Sequence, residues 1–337
     1  MRVLVLGGSW FLGRALVEAA LAAHLDVTTF RRGQSGEGAS GVKLIRGDRT
    51  NAADMAQLAG EGPWDLVLDT TGYVPREALA VARALEPAAA RYVFISTVSV
   101  YEGWPTEPLT DDSQVLDCPS DAGPDYGYDG DPGPSTYGFG KAGCERAILE
   151  TFGAERTTIL RPGVILGPRE YVGRLPWWLR RFERGGQVLC PGDPGRSIQP
   201  IDVRDVAQFA FAAPAGVFNV TAPGTDTFGS FLGACAEVTK SSAEPVWVDE
   251  DYLIDQGLKQ WTELPLWRTY AGAWDVDASR ARANGLITRP LRDTVMDTWN
   301  WMHEGELVEH ERAGELGITP EREAAVLRAW IDRRSNR

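Results

Sequence analysis

The feature that most constrains this chain is a glycine-rich turn near its amino terminus, between a short apolar run and an Ala/Leu-rich segment. Residues 3–6 are apolar, Gly7 and Gly8 follow directly, and Gly13 opens a helical pattern that continues to residue 21. The pattern predicts a strand, a tight turn and a helix. Unpaired amides and the positive end of a helix dipole at such a turn favour a pyrophosphate. A similar turn also serves merely to pack a helix closely on a strand, so the motif alone leaves both interpretations open.

Apolar runs alternate with helix-length stretches after this first turn. The runs lie within residues 25–30, 42–48, 64–73, 90–103 and 157–168, and each ends at polar or glycine residues. This alternation predicts an α/β fold with a doubly wound parallel sheet. Ligands of such sheets bind at the carboxyl ends of the strands. We therefore expect the functional residues at those ends.

The end of the second predicted strand carries two arginines, Arg31 and Arg32, and no acid. In a dinucleotide-binding fold, an acidic side chain at this position holds a free ribose 2′-hydroxyl, whereas arginine accommodates a 2′-phosphate. The sequence therefore favours NADP as the cofactor, with NAD as the alternative. Two solvated arginines without a ligand are the structural alternative.

Charge and residue counts narrow the classes of partner. The formal net charge of -13 argues against nucleic acid as the main partner, because that affinity comes from clustered Lys and Arg. The four cysteines are scattered without a C-x-x-C pair, as is typical of reduced thiols in a cytoplasmic protein. The three histidines lack metal-ligand spacing, so we expect no metal site and no Ser-His-Asp triad. No apolar run approaches the roughly 18 residues of a membrane span, so we expect no membrane partner.

The length of 337 residues predicts two lobes. We assign residues 1–168 and 198–224 to a dinucleotide-binding domain, and residues 169–197 and 225–337 to a smaller, mostly helical substrate lobe. An acidic, Pro/Gly-rich segment at residues 104–136 has the composition of a surface loop. Twelve tryptophans indicate a bulky core, with an aromatic-lined pocket as the alternative.

Tyr137 and Lys141 lie four residues apart in a predicted helix and therefore share one face. A free tyrosine has a pKa of about 10, and a nearby ammonium can favour its phenolate, which makes the pair a tunable proton donor and acceptor. Isolated Tyr-x-x-x-Lys spacings are common by chance. Here Gly138, Gly140 and Gly143 fill the same helical stretch, although each costs about 1 kcal/mol relative to alanine. Their presence predicts close approach of another backbone or of a ligand.

These motifs together resemble the extended short-chain dehydrogenase/reductases, also described as the NAD-dependent epimerase/dehydratase type. The resemblance covers nearly the whole chain, through LGGSWFLG, the Gly47-Asp48 pair, DTTGY, ISTVSVY, YGFGK, LRPGVILGP and IDVRDVA. It implies a Rossmann sheet with Thr97, Tyr137 and Lys141 as catalytic residues. Thr97 would bond the reacting oxygen, Tyr137 would carry the proton, and Lys141 would act on the tyrosine and hold the nicotinamide ribose.

The resemblance also implies that Asp48 contacts the adenine and that the stretch from Gly163 to Ile165 lies beside the nicotinamide. For Asp48 a turn-forming role is the structural alternative, and for Thr97 a strand-end cap. The residues expected to contact the cofactor are Gly7, Ser9, Trp10, Phe11, Leu12, Gly13, Arg31, Arg32, Asp48, Arg49, Thr70, Thr71, Gly72, Tyr137, Lys141, Pro162, Gly163 and Ile165.

Two positions depart from the family pattern. Trp10 stands where the middle glycine of the first turn is usual, and this resembles an atypical branch that includes chloroplast stem-loop RNA-binding proteins and bacterial reductases. Val98 and Ser99 stand where dehydratases of the family carry an Asp-Glu pair, which disfavours a sugar dehydratase.

Three functions remain open on the sequence. The first is an NADP-dependent oxidoreductase that interconverts a ketone and a secondary alcohol of a small molecule. The second is a nucleotide-sugar epimerase with the same catalytic residues, for which Arg174, Arg196 and Arg268 could hold a sugar diphosphate. The third is a catalytically silent RNA- or partner-binding protein, against which the intact catalytic set and the acidic charge argue. A homodimer is what the resemblance implies, although no stretch identifies its interface.

Overall fold

The computed structural model describes residues 1–33, 38–304 and 314–335. These residues form two compact units. Unit 1 comprises Met1–Ile165, Ile201–Pro223 and Ala271–Thr288, and unit 2 comprises Leu166–Pro200, Gly224–Tyr270 and Arg289–Arg337.

The strands are numbered in chain order. They are β1 (Arg2–Leu6), β2 (Asp26–Arg31), β3 (Lys43–Arg46), β4 (Leu66–Asp69), β5 (Tyr92–Ile95), β6 (Thr157–Pro162), β7 (Ile165–Leu166), β8 (Gly186–Pro191), β9 (Ser197–Ile198), β10 (Ile201–Asp202), β11 (Gly216–Val220), β12 (Asp226–Thr227) and β13 (Ala243–Val248).

The helices follow the same convention. They are α1 (Phe11–Ala22), α2 (Ala52–Gly60), α3 (Pro75–Leu85), α4 (Thr136–Phe152), α5 (Arg174–Glu183), α6 (Val203–Ala212), α7 (Phe228–Thr239), α8 (Glu250–Asp255), α9 (Ser279–Ala283), α10 (Leu291–His303) and α11 (Pro320–Ser335).

Unit 1 is built on a seven-stranded sheet in the order β11-β6-β5-β4-β1-β2-β3, and its strand pairs are parallel. The predicted doubly wound sheet is therefore confirmed. The strand order reverses between β1 and β4, which is where such sheets place their ligands. Strands buried on both faces are apolar along their whole length, and this explains the runs seen in the sequence.

Alternate side chains of β1 enter two different cores. Val3 and Val5 pack with α1 and α6, whereas Leu4 and Leu6 pack with α2, α3 and α4. Successive side chains of a strand point to opposite faces, so one strand supplies both cores. The arrangement holds the carboxyl end of β1 between two rigid layers.

The acidic segment predicted as a surface loop lies only partly at the surface. Leu109, Leu116 and Cys118 are buried in a small core with Val98 and Phe139. The Leu109 amide also donates to Asp275 O over 2.9 Å. Three apolar residues spread among acids and prolines give no periodic pattern, so the sequence could not show that this segment would pack.

Unit 2 is mostly helical, as the sequence predicts, and it also contains two short strand pairs. Strand β8 pairs in parallel with β13, and β9 pairs antiparallel with β12. Residues 271–288, which the sequence analysis places in the second lobe, lie in unit 1. There the Asp277 amide donates to Leu109 O over 2.8 Å. The functional names given to the two domains stay predictions.

A buried ion pair connects the elements of unit 2. Arg181 Nε lies 2.8 Å from both carboxylate oxygens of Glu323, on α11. Glu323 also accepts the Leu189 amide of β8 over 3.1 Å. The pair thus joins α5, α11 and β8.

Several bulky and thiol side chains are core residues. Trp64, Trp178, Trp267 and Trp274 are buried, which agrees with the expected bulky core. The four cysteines are free and buried. Among the described residues, none of the helices has the length and apolar character needed to cross a bilayer.

Candidate functional site

The glycine-rich turn after β1 has a backbone that only glycine fits. Gly7 and Gly8 have φ values of 107° and 101°. A Cβ on Gly7 would lie 2.8 Å from Thr70 Oγ1, and one on Gly13 would lie 2.8 Å from Gly8 N. The turn is therefore pressed against the end of β4 and against the start of α1. A glycine turn of this kind, directly before a helix, is where a pyrophosphate would bind.

Trp10 does not need to be glycine. It is the N-cap of α1, with extended backbone at φ -117° and ψ 146°, and its side chain forms no capping hydrogen bond. The first turn of α1 also carries no acidic residue. Leu12 is buried in the unit 1 core, so only its backbone can face a ligand. The start of this twelve-residue helix thus retains the positive potential that favours an anion.

Three arginines, not two, lie at the ends of β2 and β3. Arg31 is half-buried and Arg32 is exposed, and their contact with a ribose stays a prediction. Arg46 is the register partner of Arg31 on the neighbouring strand, and its Nε lies 3.4 Å from the position of a Cβ on Gly33. Sequence analysis missed Arg46, although a cation ending the third strand was the available signal.

Asp48 forms the turn that follows β3. Its carboxylate accepts the Thr50 amide over 2.9 Å and the Thr50 hydroxyl over 2.7 Å. These two bonds, with the charges of Arg32 and Arg49, lower the pKa of Asp48. The structure thus shows the turn-forming role, and the adenine contact stays a prediction.

Asp69 is a functional candidate that sequence analysis missed. It ends β4, is fully buried, and binds Arg49 through two contacts of 3.1 and 3.2 Å. It also accepts the Tyr92 hydroxyl over 2.8 Å and the Thr71 amide over 2.8 Å. Burial works against the charge, but Arg49 and these hydrogen bonds outweigh it and hold the pKa of Asp69 below its usual value. An acid at a strand end was the only signal in the sequence.

The Thr70 to Gly72 segment joins β1, β4 and β5. The Thr70 hydroxyl donates to Leu6 O over 3.1 Å. The Thr71 hydroxyl donates to Asp69 Oδ1 over 3.0 Å. A Cβ on Gly72 would lie 2.7 Å from the Phe94 ring. These predicted cofactor residues therefore lie together beside the glycine-rich turn.

Helix α4 lies directly on the backbone that follows β4 and β5. A Cβ on Gly140 would lie 2.6 Å from Tyr73 O, and one on Gly138 would collide with Ser99 O. A Cβ on Gly143 would lie 2.5 Å from the Pro75 ring. The glycines predicted to allow close approach thus accommodate neighbouring residues of this chain. This packing sets the position of Tyr137 and Lys141.

Lys141 is buried at the carboxyl ends of two strands. Its side chain is 2% exposed, and Nζ donates to Gly72 O over 2.9 Å and to Ile95 O over 2.5 Å. Nζ also lies 4.0 Å from the centroid of the Phe94 ring. Burial lowers the pKa of Lys141 to about 8, and the charges of Asp69 and Glu145 oppose this shift. The ammonium is therefore mostly protonated at neutral pH and loses its charge in a mildly alkaline range.

Tyr137 and Thr97 flank this lysine in different environments. The Tyr137 side chain is 48% exposed, and its ring centroid lies 6.3 Å from that of Tyr73. Thr97 is buried at the end of β5, where its hydroxyl accepts the Ser99 amide over 3.1 Å and lies 3.3 Å from the Ser99 hydroxyl. Thr97 thus caps the short 3₁₀ turn Val98–Val100, as its structural alternative predicted. The catalytic role of each residue stays a prediction.

The end of β6 supplies the last predicted contacts. Pro162 ends the strand, and Gly163 N donates to Val220 O over 3.2 Å. A Cβ on Gly163 would lie 2.9 Å from a Thr221 methyl group. Ile165 is half-buried. The structure places these residues at the same edge of the sheet as Lys141.

A buried polar network supports this edge of unit 1. Glu145, one turn after Lys141, binds Arg161 over 2.5 Å and accepts the Ser96 hydroxyl. Arg161 donates to Tyr101 Oη over 2.9 Å, and Tyr101 donates to Asn219 Oδ1 over 2.8 Å. The network holds α4 against β5 and β6. It also fixes the side chain of Ser96, the residue before Thr97.

Unit 2 gathers the three arginines proposed for a sugar diphosphate. The guanidinium carbons of Arg174 and Arg268 lie 5.5 and 4.6 Å from the centroid of the Trp261 ring. Arg196 donates to Arg268 O over 2.9 Å and pairs with Glu250 over 2.5 Å. Trp261 adopts a φ of 71°, a strained conformation for a bulky residue. No pattern in the sequence indicates that an indole would connect these cations.

A known family matches the amino-terminal part of unit 1. Residues 3–83 match the sequence profile of the NAD dependent epimerase/dehydratase family. The match covers about a quarter of the chain. The match agrees with the resemblance to the NAD-dependent epimerase/dehydratase type that the motifs carry. The assignment of Trp10 to an atypical branch stays a prediction.

One curated relative aligns with most of this chain. The chloroplast stem-loop binding protein of 41 kDa b from Arabidopsis thaliana is 27% identical over 259 residues, which are 70% of this chain and 62% of that protein. The chain thus spans less than two thirds of the length of this relative.

Solved structures share the fold over nearly the whole chain. The Bordetella bronchiseptica enzyme WbmG, in complex with NAD and UDP, is 18% identical with a TM-score of 0.65, over 90% of this chain and 94% of that one. UDP-glucose 4-epimerase from Thermotoga maritima, with UDP-glucose, is 17% identical with a TM-score of 0.68, over 90% of this chain and 99% of that one. At these identities the likeness shows the fold alone.

Proposed function

We propose that this chain is an NADP-dependent oxidoreductase that interconverts a ketone and a secondary alcohol of a small molecule. The observation that carries the proposal is the burial of Lys141 beneath the first turn of α4, four residues from an accessible Tyr137. A buried ammonium beside an accessible phenol is the arrangement that proton transfer at a hydroxyl requires.

The residues of unit 1 fit a nicotinamide dinucleotide. The backbone of Gly7 and Gly8, held where a Cβ would collide with Thr70 and Thr29, forms a cradle for a pyrophosphate. Arg31 and Arg32 would hold a 2′-phosphate, and Asp48 would bond the adenine. When bound, the nicotinamide supplies the site that accepts or donates a hydride. NAD is the alternative cofactor, and the complexes of WbmG with NAD support a dinucleotide in general.

Side chains of this protein would transfer the proton and bind the substrate oxygen. In the oxidation direction, Tyr137 accepts the hydroxyl proton while the bond between carbon and oxygen becomes a carbonyl. In the reduction direction, the same phenol returns the proton. The Lys141 ammonium favours the phenolate by its charge, and one of its three N–H groups would bind the ribose. Thr97 would donate a hydrogen bond to the reacting oxygen after leaving its contact with Ser99.

A nucleotide-sugar epimerase is a second candidate that a specific observation favours. The cluster of Arg174, Arg268 and Trp261 offers two guanidinium groups and an aromatic face within unit 2. Guanidinium groups suit a diphosphate, and an indole suits a base or a sugar ring. The Thermotoga maritima relative was solved with UDP-glucose, which supports the same substrate class. An epimerase would use the same Thr97, Tyr137 and Lys141.

The deciding experiment screens a panel of ketones and nucleotide sugars with NADPH and NADH at the nicotinamide absorbance. A reductase consumes cofactor stoichiometrically, whereas an epimerase converts its sugar without net consumption. Tyr137→Phe should abolish turnover while NADPH binding stays within about twofold, because the substitution removes the hydroxyl that carries the proton and keeps the ring. Retained turnover in Tyr137→Phe would remove this residue from the reaction.

RNA binding is the outcome that would favour the third function. The curated relative is named as a stem-loop binding protein, so binding of a stem-loop RNA should be measured at physiological salt. Tight binding without cofactor turnover would replace the enzyme proposal. The homodimer and the cytoplasmic location stay predictions.

A further inference from the structure

Tyr73 is the last residue of the DTTGY motif, and the sequence analysis assigns it no role of its own. It follows the Thr70 to Gly72 segment and directly precedes the N-cap of α3, Val74. A Cβ on Gly140 would lie 2.6 Å from Tyr73 O, so the first turn of α4 rests on the Tyr73 backbone. The position of Tyr73 relative to Tyr137 and Lys141 is therefore fixed by close packing.

The Tyr73 ring is close to both predicted catalytic side chains of α4. Its centroid lies 6.3 Å from that of Tyr137, with the two planes inclined by 40°. Lys141 Nζ lies 5.3 Å from the same Tyr73 centroid. One ring therefore stands within interaction range of the phenol and of the ammonium.

Exposure distinguishes Tyr73 from the second ring beside Lys141. Phe94 is fully buried and belongs to a core cluster, so its contribution to packing explains its presence. Tyr73 is 53% exposed and therefore contributes much less to the core. An accessible aromatic ring that contacts two functional groups fits a role in the reaction better than a role in packing.

Several charged and titratable groups face Lys141. Asp69, on β4, and Glu145, on α4, favour its charged form, whereas Arg49 disfavours it. Cys144, also on α4, is buried and has its pKa raised by that burial to about 12, so it is a neutral thiol at neutral pH. The faces of the Phe94 and Tyr73 rings attract the ammonium as well. Of the two rings, Tyr73 is the one that also contacts Tyr137.

We propose that Tyr73 is a positioning residue of this site, whose ring holds the Tyr137 phenol and the Lys141 ammonium in a fixed relation. The inference rests on the proposed function and adds a residue to it. Tyr73 transfers no proton itself. Its ring restricts the Tyr137 side chain on one side and stabilises the charge of Lys141 on the other.

The first test measures Lys141 directly and needs no substrate. The chain has only four lysines, Lys43, Lys141, Lys240 and Lys259, so the Lys141 ¹³Cε resonance can be assigned and titrated by NMR. Tyr73→Leu should lower the Lys141 pKa by about half to one unit, because loss of the ring removes a partner of the charged form. Tyr73→Phe keeps the ring and should leave the titration unchanged. An unchanged titration in both Tyr73→Leu and Tyr73→Met would overturn the inference.

The second test follows turnover with the substrate found by the panel. Tyr73→Leu should lower kcat about tenfold, with NADPH affinity within about twofold of wild type, and the alkaline loss of activity should begin at lower pH. Tyr126→Leu is the matched control, since Tyr126 is 39% exposed and its ring lies beside Phe139. This control should match wild type. Equal losses in Tyr73→Phe and Tyr73→Leu would assign the effect to the hydroxyl and contradict the role of the ring.

Different results would contradict the proposed function and the positioning role of Tyr73. Turnover that survives Tyr137→Phe defeats the proposed function. If Tyr137→Phe loses turnover but Tyr73→Leu keeps the wild-type rate, only the role of Tyr73 is contradicted. Tyr73→Met serves as a second ring-free variant if Tyr73→Leu does not fold.

Discussion

Arg49 and Asp69 form a bidentate ion pair, with contacts of 3.1 and 3.2 Å, between the turn after β3 and the end of β4. The pair links two strand ends that β2 and β1 separate in the sheet. Tyr92 of β5 binds the same carboxylate. Three chain segments at the carboxyl ends of the strands of unit 1 are thus connected through one buried charge.

Removal of the buried Asp69 carboxylate should lower the free energy of unfolding. Asp69→Asn leaves Arg49 without its counterion, and the loss of one partner of a buried pair costs about 3–5 kcal/mol of unfolding free energy. Urea denaturation measures this cost. Asp117→Asn is the matched control, because Asp117 pairs with Arg146 at the surface, where such pairs contribute about 0–1 kcal/mol. Equal effects of the two substitutions would show that Asp69 has no special role.

The contribution of Asp69 should also depend on pH. Its pKa in the folded chain lies below that of an unfolded aspartate, about 3.9, so the pair stabilises the fold above that value. As the pH falls through the folded pKa, protonation removes this contribution. The difference in unfolding free energy between wild type and Asp69→Asn should be constant from about pH 5 to 7 and should shrink below about pH 4. A difference that grows on acidification would contradict the assignment.

The glycines of α4 should be intolerant of a methyl group. In Gly140→Ala the new Cβ would lie 2.6 Å from Tyr73 O, and the shifts needed to relieve this contact typically cost about 1–3 kcal/mol. Thermal and urea unfolding would show the loss. Gly233→Ala is a control in which the unfolding free energy should rise instead of fall, since Gly233 lies within α7 with open space around it. Alanine there should stabilise by about 0.5–1 kcal/mol. Neutral behaviour of Gly140→Ala would mean that α4 does not rest on the Tyr73 backbone.

Cofactor preference should depend on the arginines at the ends of β2 and β3. Arg31→Asp should shift preference towards NAD, because a carboxylate can bond a free 2′-hydroxyl but repels a phosphate. Arg46→Ala should weaken NADP binding less strongly and leave NAD binding unchanged. Titration of both cofactors gives the ratio of the NAD dissociation constant to the NADP dissociation constant. This ratio should fall at least tenfold for Arg31→Asp. Arg83→Ala, at an exposed position on α3, should leave the ratio unchanged. If Arg31→Asp leaves it unchanged too, Arg31 does not contact the 2′-phosphate.

The parts of the fold that depend on local pattern were predictable. Apolar runs ending at glycine or polar residues located the strands of the parallel sheet, because strands buried on both faces must be apolar throughout. The glycine turn was also predictable from the sequence, since a side chain would not fit at Gly7, Gly8 or Gly13. The resemblance to the NAD-dependent epimerase/dehydratase family followed from the same motifs, and residues 3–83 match the profile of that family.

Contacts between distant residues were not predictable from any pattern. Nothing near Asp69 in the sequence indicates Arg49, twenty residues earlier, as its partner. The strand β8 pairs with β13 across more than fifty residues, and polar, glycine or proline residues interrupt the apolar run of each strand. Residues 271–288 return to unit 1 through hydrogen bonds with Leu109, which a linear division of the chain cannot show.

By itself, the sequence determined the alternation of strands and helices, the glycine turn and the spacing of Tyr137 from Lys141, because each depends on residues that are neighbours in the chain. The tertiary structure alone decided which groups surround Lys141. The burial that lowers its pKa, the carbonyl oxygens of Gly72 and Ile95, and the Tyr73 ring come from separate elements. A charge responds to whatever lies within a few ångströms of it, and only the folded chain brings those groups together.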